Sequence, residues 1–166
     1  NNVKNKDIVL AIPSNGIHSN GYSLVRSILN KKNISKKLRF ELLKPTKIYS
    51  KEILKLVNKN LINSAAHITG GGLIENIIRS VPDNLSVDID LSKIKTGQIF
   101  KWLKSNNISD MEMLKTFNCG VGFCIIVDKA KSKKIKKYFN NAYKPYEIGV
   151  ISNRKKKINL FNSIKW

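Results

Sequence analysis

Two cysteines, two histidines and eleven carboxylates are all that the sequence offers of the residues that most often build metal and covalent chemistry. Cys119 and Cys124 are too few for a disulfide scaffold, and a chain of 166 residues is long enough to bury a core without one. There is no CxxC, and His18 and His67 are far from the cysteines in sequence, so the spacing of a zinc site is missing. A nucleophilic cysteine needs a base, and none is local; a buried small hydrophobe is the expectation for both, on opposite faces of a strand. No apolar run approaches the roughly 18–20 residues of a membrane span; the longest lies around Val121–Val127. No hydrophobic leader follows Asn1-Asn2-Val3-Lys4. A cytoplasmic, membrane-free domain is therefore expected.

What the sequence has in excess is positive charge, +20 in total. Of 31 basic residues, 27 are Lys and four are Arg, and Asn and Ile are also abundant. All three favoured types have A/T-rich codons, so base bias in a genome explains the composition. A nucleic-acid binder is expected to show more Arg, whose planar fork suits phosphates and guanine edges. Here Lys is spread through every helix and the aromatics sit at apolar positions, which disfavours a basic nucleic-acid-binding module. Apolar residues at 42% and charged residues at 25% are ordinary for a globular domain and exclude disorder. The chain begins on Asn1, not Met, and its first apolar run starts almost at once; a piece of a longer protein is expected.

Hydrophobic patterning predicts alternating strands and helices, hence an α/β (α+β) class with a mixed sheet flanked by helices. Strands are predicted over Asp7–Ile12, Ser64–Ile68, Leu85–Leu91 and up to Val127 after Phe117. Tyr146–Ser152 and Ile158–Phe161 read as a closing hairpin around Asn153–Lys157. Helices are predicted over Tyr22–Leu29, capped by Ser19 or Asn20, and over Lys51–Asn60, Leu73–Ser80, Gly97–Ser105, Met111–Lys115 and Lys129–Asn140; Lys31–Lys37 reads as a polar connection. No repeat and no second domain boundary appear across 1–166.

Three loops share one grammar of small residues and amides with no Lys or Arg: Pro13–Gly21, His67–Gly72 and Phe117–Gly122. In the second, a strand delivers Thr69-Gly70-Gly71-Gly72 to a helix N-terminus. Glycines let the backbone approach a ligand, and a helix N-terminus presents unpaired N–H groups, together suiting an anion such as phosphate. A plain flexible turn is the alternative, since the spacing of a P-loop is absent. His67 beside that run is positioned to hold charge or pass a proton. His18, alone in its loop, reads more readily as a surface or packing residue than as a functional one. Asp88 and Asp90 share one strand face and admit Mg²⁺ or simple solvation. With so few acids, any metal-holding carboxylates are expected outside this chain.

PSNGIHSNGYSLVR (Pro13–Arg26), LLKPTKIYSKEIL (Leu42–Leu54), AHITGGGLIENI (Ala66–Ile77) and FNCGVGF (Phe117–Phe123), in this order, resemble the C-terminal half of the phosphoribosylformylglycinamidine cyclo-ligase (aminoimidazole ribonucleotide synthetase) family of purine biosynthesis. Single motifs also suggest relatives of that superfamily, such as selenophosphate synthetase, thiamine-monophosphate kinase and hydrogenase-maturation proteins; LLKPTKIY argues for the cyclo-ligases. The resemblance implies one C-terminal domain of an ATP-dependent ligase. Its N-terminal domain, absent from this chain, would carry most of the ATP and Mg²⁺ site and form a homodimer. The substrate implied is formylglycinamidine ribonucleotide, and no metal ligand is implied here. Carried over by motif, Ser14, Gly16, His18, Ser19, Asn20, Gly21, Thr69, Gly70, Gly71, Gly72, Asn118 and Gly120 would face substrate or phosphate, with His67 catalytic. Asn15 stands where the family usually has Ser, and Cys119 where Met is common.

Overall fold

The computed structural model describes residues 2–166. Six strands form one mixed sheet: β1 (Ile8–Pro13), β2 (Ser64–His67), β3 (Ser86–Asp90), β4 (Val121–Val127), β5 (Tyr146–Ser152) and β6 (Ile158–Phe161), in the order β2-β4-β1-β5-β3-β6. Every pairing is antiparallel except β3 with β6. β1 is central, which explains a strand that is apolar at almost every position: both faces are covered.

Alternation sends the two faces into separate cores. Val9, Ala11, Ala66, Val87, Ile89, Cys124 and Ile126 meet one helical layer. That layer is α1 (Tyr22–Leu29), α2 (Lys36–Leu43), α4 (Gly72–Arg79), α5 (Gln98–Lys104) and α6 (Asp110–Thr116), contributing Val25, Leu42, Leu73, Ile77, Phe100, Leu103 and Met113. Ile8, Leu10, Ile12, Ile125 and Val127 meet α3 (Ser50–Asn58), through Ile53 and Leu56, and the α7 region (Ser132–Ile135), through Ile135 and Phe139. This is the α/β class with a mixed sheet flanked by helices.

Several expectations need correction. β5 and β6 are no hairpin: β3 lies between them, antiparallel to β5 and parallel to β6. The alternation of Leu85, Val87 and Ile89 places β3 in the core of the sheet, so the segment after β5 crosses to its far side. Lys129–Asn140 is not one helix but a 3₁₀ turn, the single turn α7 and a second 3₁₀ turn. Only Ile135 and Phe139 anchor it, and six Lys side chains offer no packing to extend it. Helix α2 occupies residues for which no helix was expected, with Ser35 Oγ capping the Leu38 amide. The N-cap of α1 is Gly21 at φ 76°, not Ser19 or Asn20. Cys119 and Cys124 join one core, not opposite faces, because Cys119 sits in a left-handed turn (φ 51°) before the strand. Burial raises the pKa of both thiols, as packing residues require.

Candidate functional site

The loop after β1 and the loop before β4 are bolted together by one residue. Asn118 Oδ1 accepts from Ser14 Oγ and from the Gly120 amide, each at 2.9 Å, and its Nδ2 donates to Gly16 O at 2.9 Å. The Ser14 amide adds a bond to Gly120 O at 2.9 Å. Phe117 lies so close under Gly21 that a Cβ there would fall inside its ring. Asn118, expected to orient a ligand, is therefore buried and committed to the scaffold, together with Ser14, Gly16, Gly21 and Gly120.

The glycine run is shaped by a residue that the loop motif did not single out. Asn76, on the first turns of α4, donates through Nδ2 to Thr69 O, Gly70 O and Gly72 O, at 3.3, 3.0 and 2.7 Å, and its Oδ1 accepts from Thr69 Oγ1 at 3.3 Å. Three carbonyls are gathered on one side chain, and the Gly72 amide closes the turn on Thr69 O at 3.1 Å. Gly71 (φ 87°) and Gly72 (φ 60°) need glycine for backbone reasons, and Gly72 also abuts the Leu114 carbonyl of α6. Gly70 is different. Its φ is not left-handed and nothing lies within 4 Å of where a Cβ would be. The fold does not require glycine there, whereas a ligand approaching the backbone would. The carboxylate of Glu75 folds back beside Gly71 while the same oxygen, Oε2, pairs with Arg79 Nη2 at 3.5 Å.

Four separate segments bring four rings together. His18 from the first loop, Tyr49 from the turn before α3, His67 from the end of β2 and Phe123 from β4 form five ring pairs with centroids 5.5–6.3 Å apart. His67 stacks on Phe123 at an interplanar angle of 19°. Tyr49 donates to Pro13 O at 3.0 Å and fills the space beside Gly122, where a Cβ would collide with its hydroxyl. A cleft of about 550 Å³ opens over this cluster, lined by Thr46, Lys47, Ile48, Tyr49, His67 and Phe123 among others. Ser19 Oγ and Thr46 Oγ1, 3.2 Å apart, tie the first loop to its rim, and Asn15 Nδ2 holds Pro45 O at 2.8 Å.

The two histidines differ. His18 is 3% exposed, with Nε2 bonded to Asn15 Oδ1 at 3.0 Å and Nδ1 buried without a partner among the described residues. Burial foremost, then neighbouring His67, lowers its pKa from 6.5 to about 4. His67 is exposed at the cleft, and partial burial lowers its pKa too. With both pKa values lowered, the two imidazoles are mainly neutral near pH 7 and bring little charge to the cluster.

The donor set does not fit Mg²⁺, which takes oxygen ligands with carboxylates foremost. No Asp or Glu lines the cleft. Asp88 is taken by Arg154 at 2.9 Å, by Ser152 and by Asn159, and Asp90 by Ser92 and Asn162. Those same bonds, Ser92 first and Asn162 next, hold the Asp90 pKa below its usual value. Among the described residues no group of three His, Cys, Asp or Glu is placed to hold a metal. Nor is any helix among them long and apolar enough to cross a membrane.

A six-stranded mixed sheet with a loop-built cleft at one end defines a class of α/β domain seen in several solved structures. The E. coli hydrogenase maturation protein HypE superposes with a TM-score of 0.65 over 95% of this chain and 47% of its own, at 13% identity. Thiamine monophosphate kinase from Aquifex aeolicus superposes with a TM-score of 0.61 over 99% of this chain and 53% of its own, at 12% identity. Within that class the chain belongs to the AIR synthase related protein, C-terminal domain family, whose model matches residues 4–159. It is 40% identical to the phosphoribosylformylglycinamidine cyclo-ligase of Ligilactobacillus salivarius over 168 residues, covering 94% of this chain and 48% of that protein. It is 41% identical to the Clostridium tetani cyclo-ligase over 160 residues, again covering 94% and 48%. It is also 43% identical over 142 residues to the trifunctional purine biosynthetic protein adenosine-3 of Gallus gallus, covering 79% of this chain and 14% of that protein. The chain thus spans about half the length of the curated cyclo-ligases that it matches.

Proposed function

We propose that this chain is the C-terminal half of a phosphoribosylformylglycinamidine cyclo-ligase and forms the substrate-side wall of its active site. The observation that carries the reading is the convergence of Tyr49, His67 and Phe123, from three separate segments, on one cleft, with buried His18 packed against Tyr49 and His67 and the glycine turn following His67 in the chain. The sequence identity to cyclo-ligases supports the choice of reaction.

In this reading ATP phosphorylates the formyl amide oxygen of formylglycinamidine ribonucleotide. The amidine nitrogen then attacks that carbon: the ring C–N bond forms, the C–O bond to the phosphoryl group breaks, and phosphate leaves with the electron pair. The amides of Gly70 and Gly71 with the α4 N-terminus receive a phosphate group, the Gly72 amide being held by Thr69 O. Neutral His67 accepts the proton that the attacking nitrogen sheds, and passes it to solvent. Ser19, Asn20 and Thr69 supply hydrogen bonds at the rim. Asn118, Ser14 and Tyr49 hold the loops at the required spacing. The other half of the enzyme supplies the metal-binding carboxylates and most of the ATP contacts, and closes the cleft.

The test is turnover by the complete polypeptide that carries this chain, offered ATP with formylglycinamidine ribonucleotide, with selenide or with thiamine monophosphate. Ring closure with the first substrate alone is expected. Turnover of either of the others in its place would move the protein elsewhere in the superfamily.

A further inference from the structure

The three glycine- and amide-rich loops contain no Lys or Arg, and both histidines are mainly neutral near pH 7. One cation nevertheless lines the cleft. Lys47 is the only charged residue among its lining side chains, and it is held unlike a solvated surface lysine. Its side chain is 12% exposed. Nζ stands 4.3 Å from the Tyr143 ring centroid and 5.1 Å from that of Tyr49, a cation–π cage on two sides. It donates one hydrogen bond, to Ile48 O at 3.2 Å. Glu52 Oε1 lies 3.6 Å away, inside ion-pair range but beyond hydrogen-bond length. Among the described residues the ammonium therefore has one hydrogen-bonded protein oxygen for its three N–H groups. It lies in an apolar cleft, where an incoming anion is attracted far more strongly than in water.

We propose that Lys47 is the cleft's anion receptor: it takes a phosphate oxygen of the ligand, with Glu52 its resident counter-ion while the cleft is empty. The proposal deepens the cyclo-ligase reading and rests on it for the ligand's identity only. Thr46 and the Ser19 hydroxyl fix the segment against the first loop, so Nζ is presented on the same cleft as His67. Two sources offer the required chemistry: the 5′-phosphate of the ribonucleotide and the polyphosphate of ATP.

The experiment is made on the complete polypeptide, with two readouts. Equilibrium binding of ribose 5-phosphate and of ATP is measured separately, and the KM of each substrate is measured in turnover. Lys47→Gln is expected to weaken one of the two ligands by about 10- to 100-fold, the range for losing a hydrogen bond to a charged group; which ligand suffers names the source. Lys47→Arg is expected to keep most of the affinity. Glu52→Gln, which removes the counter-ion, is expected to tighten the same ligand or leave it unchanged. A purely structural ion pair predicts the opposite: Glu52→Gln and Lys47→Gln would weaken binding in parallel. That result overturns the proposal, as does a Lys47→Gln variant within twofold of wild type for both ligands. If binding responds as expected but ring closure is absent, Lys47 stands and the cyclo-ligase reading falls.

Discussion

His18 and Asn118 are polar residues that the fold has buried, and each makes a distinct experimental signature. His18 titrates near 6.5 when unfolded and about 4 when folded. Between those values the unfolded chain binds more protons, so stability must fall as pH drops from about 6.5 to about 4. The His18 contribution has a slope of up to about 1.4 kcal/mol per pH unit. Urea denaturation at several pH values checks this, and His18→Gln is expected to flatten the profile relative to wild type. Asn118→Ala strands Ser14 Oγ, the Gly120 amide and Gly16 O together. The Gly120 amide and Gly16 carbonyl are the two whose bonds are buried, and at about 1–3 kcal/mol each a loss of about 2–6 kcal/mol is expected in the same assay. Gly70 separates structure from binding. Gly70→Ala meets nothing within 4 Å and is expected to leave Tm within about 2 °C of wild type while raising KM. Gly72→Ala, pressed on the Leu114 carbonyl at a left-handed φ, is expected to destabilise by about 2 kcal/mol or more.

At the scale of elements, what could be read depended on how strongly a segment's pattern was forced. β1 and β4 are buried on both faces, so their unbroken apolar runs, bounded by Pro13 and Gly120, announce them. α4 and α3 carry clear apolar stripes and fall within two residues of their expected ends. α2 escaped because Leu42 alone is fully buried in a basic segment whose Phe40 and Leu43 face outward. The false hairpin arose because alternation reports which face a strand buries and says nothing of its neighbour. The site was legible in its loops but not in their division of labour. Gly70 and His67 are exposed as the motifs imply, whereas Asn118 and Ser14 spend their polar atoms on each other. Asn76, Tyr49 and Lys47 were missed as site-builders, since an Asn or Tyr near a helix start reads as a cap or a core residue. Asn76→Ala releases three carbonyls of the glycine turn. It is expected to speed amide hydrogen exchange at Gly70–Leu73 while exchange in β1 stays unchanged.

For the molecule as a whole, the +20 charge and the site are separate matters. The glycine turn carries no Lys or Arg, and Lys47 is set apart by its two tyrosines and Glu52. The cleft is one-sided: it has hydrogen-bonding groups, an aromatic floor and a cation, but no carboxylates for a metal. Under the proposed cyclo-ligase reading, a facing half of the enzyme completes the cleft. The isolated 166-residue chain is therefore expected to show no ATP-dependent ring closure by chromatographic assay, and measurable turnover by it would refute the half-site account. The most direct test of the central claim is kcat/KM for ring closure by the complete polypeptide with His67→Ala. A loss of about 10²- to 10⁴-fold at unchanged Tm is the expected result for a proton-transfer group at the reacting atoms. A value within about threefold of wild type, where general acid–base loss begins at about 10²-fold, would contradict the assignment of this cleft as the reaction site.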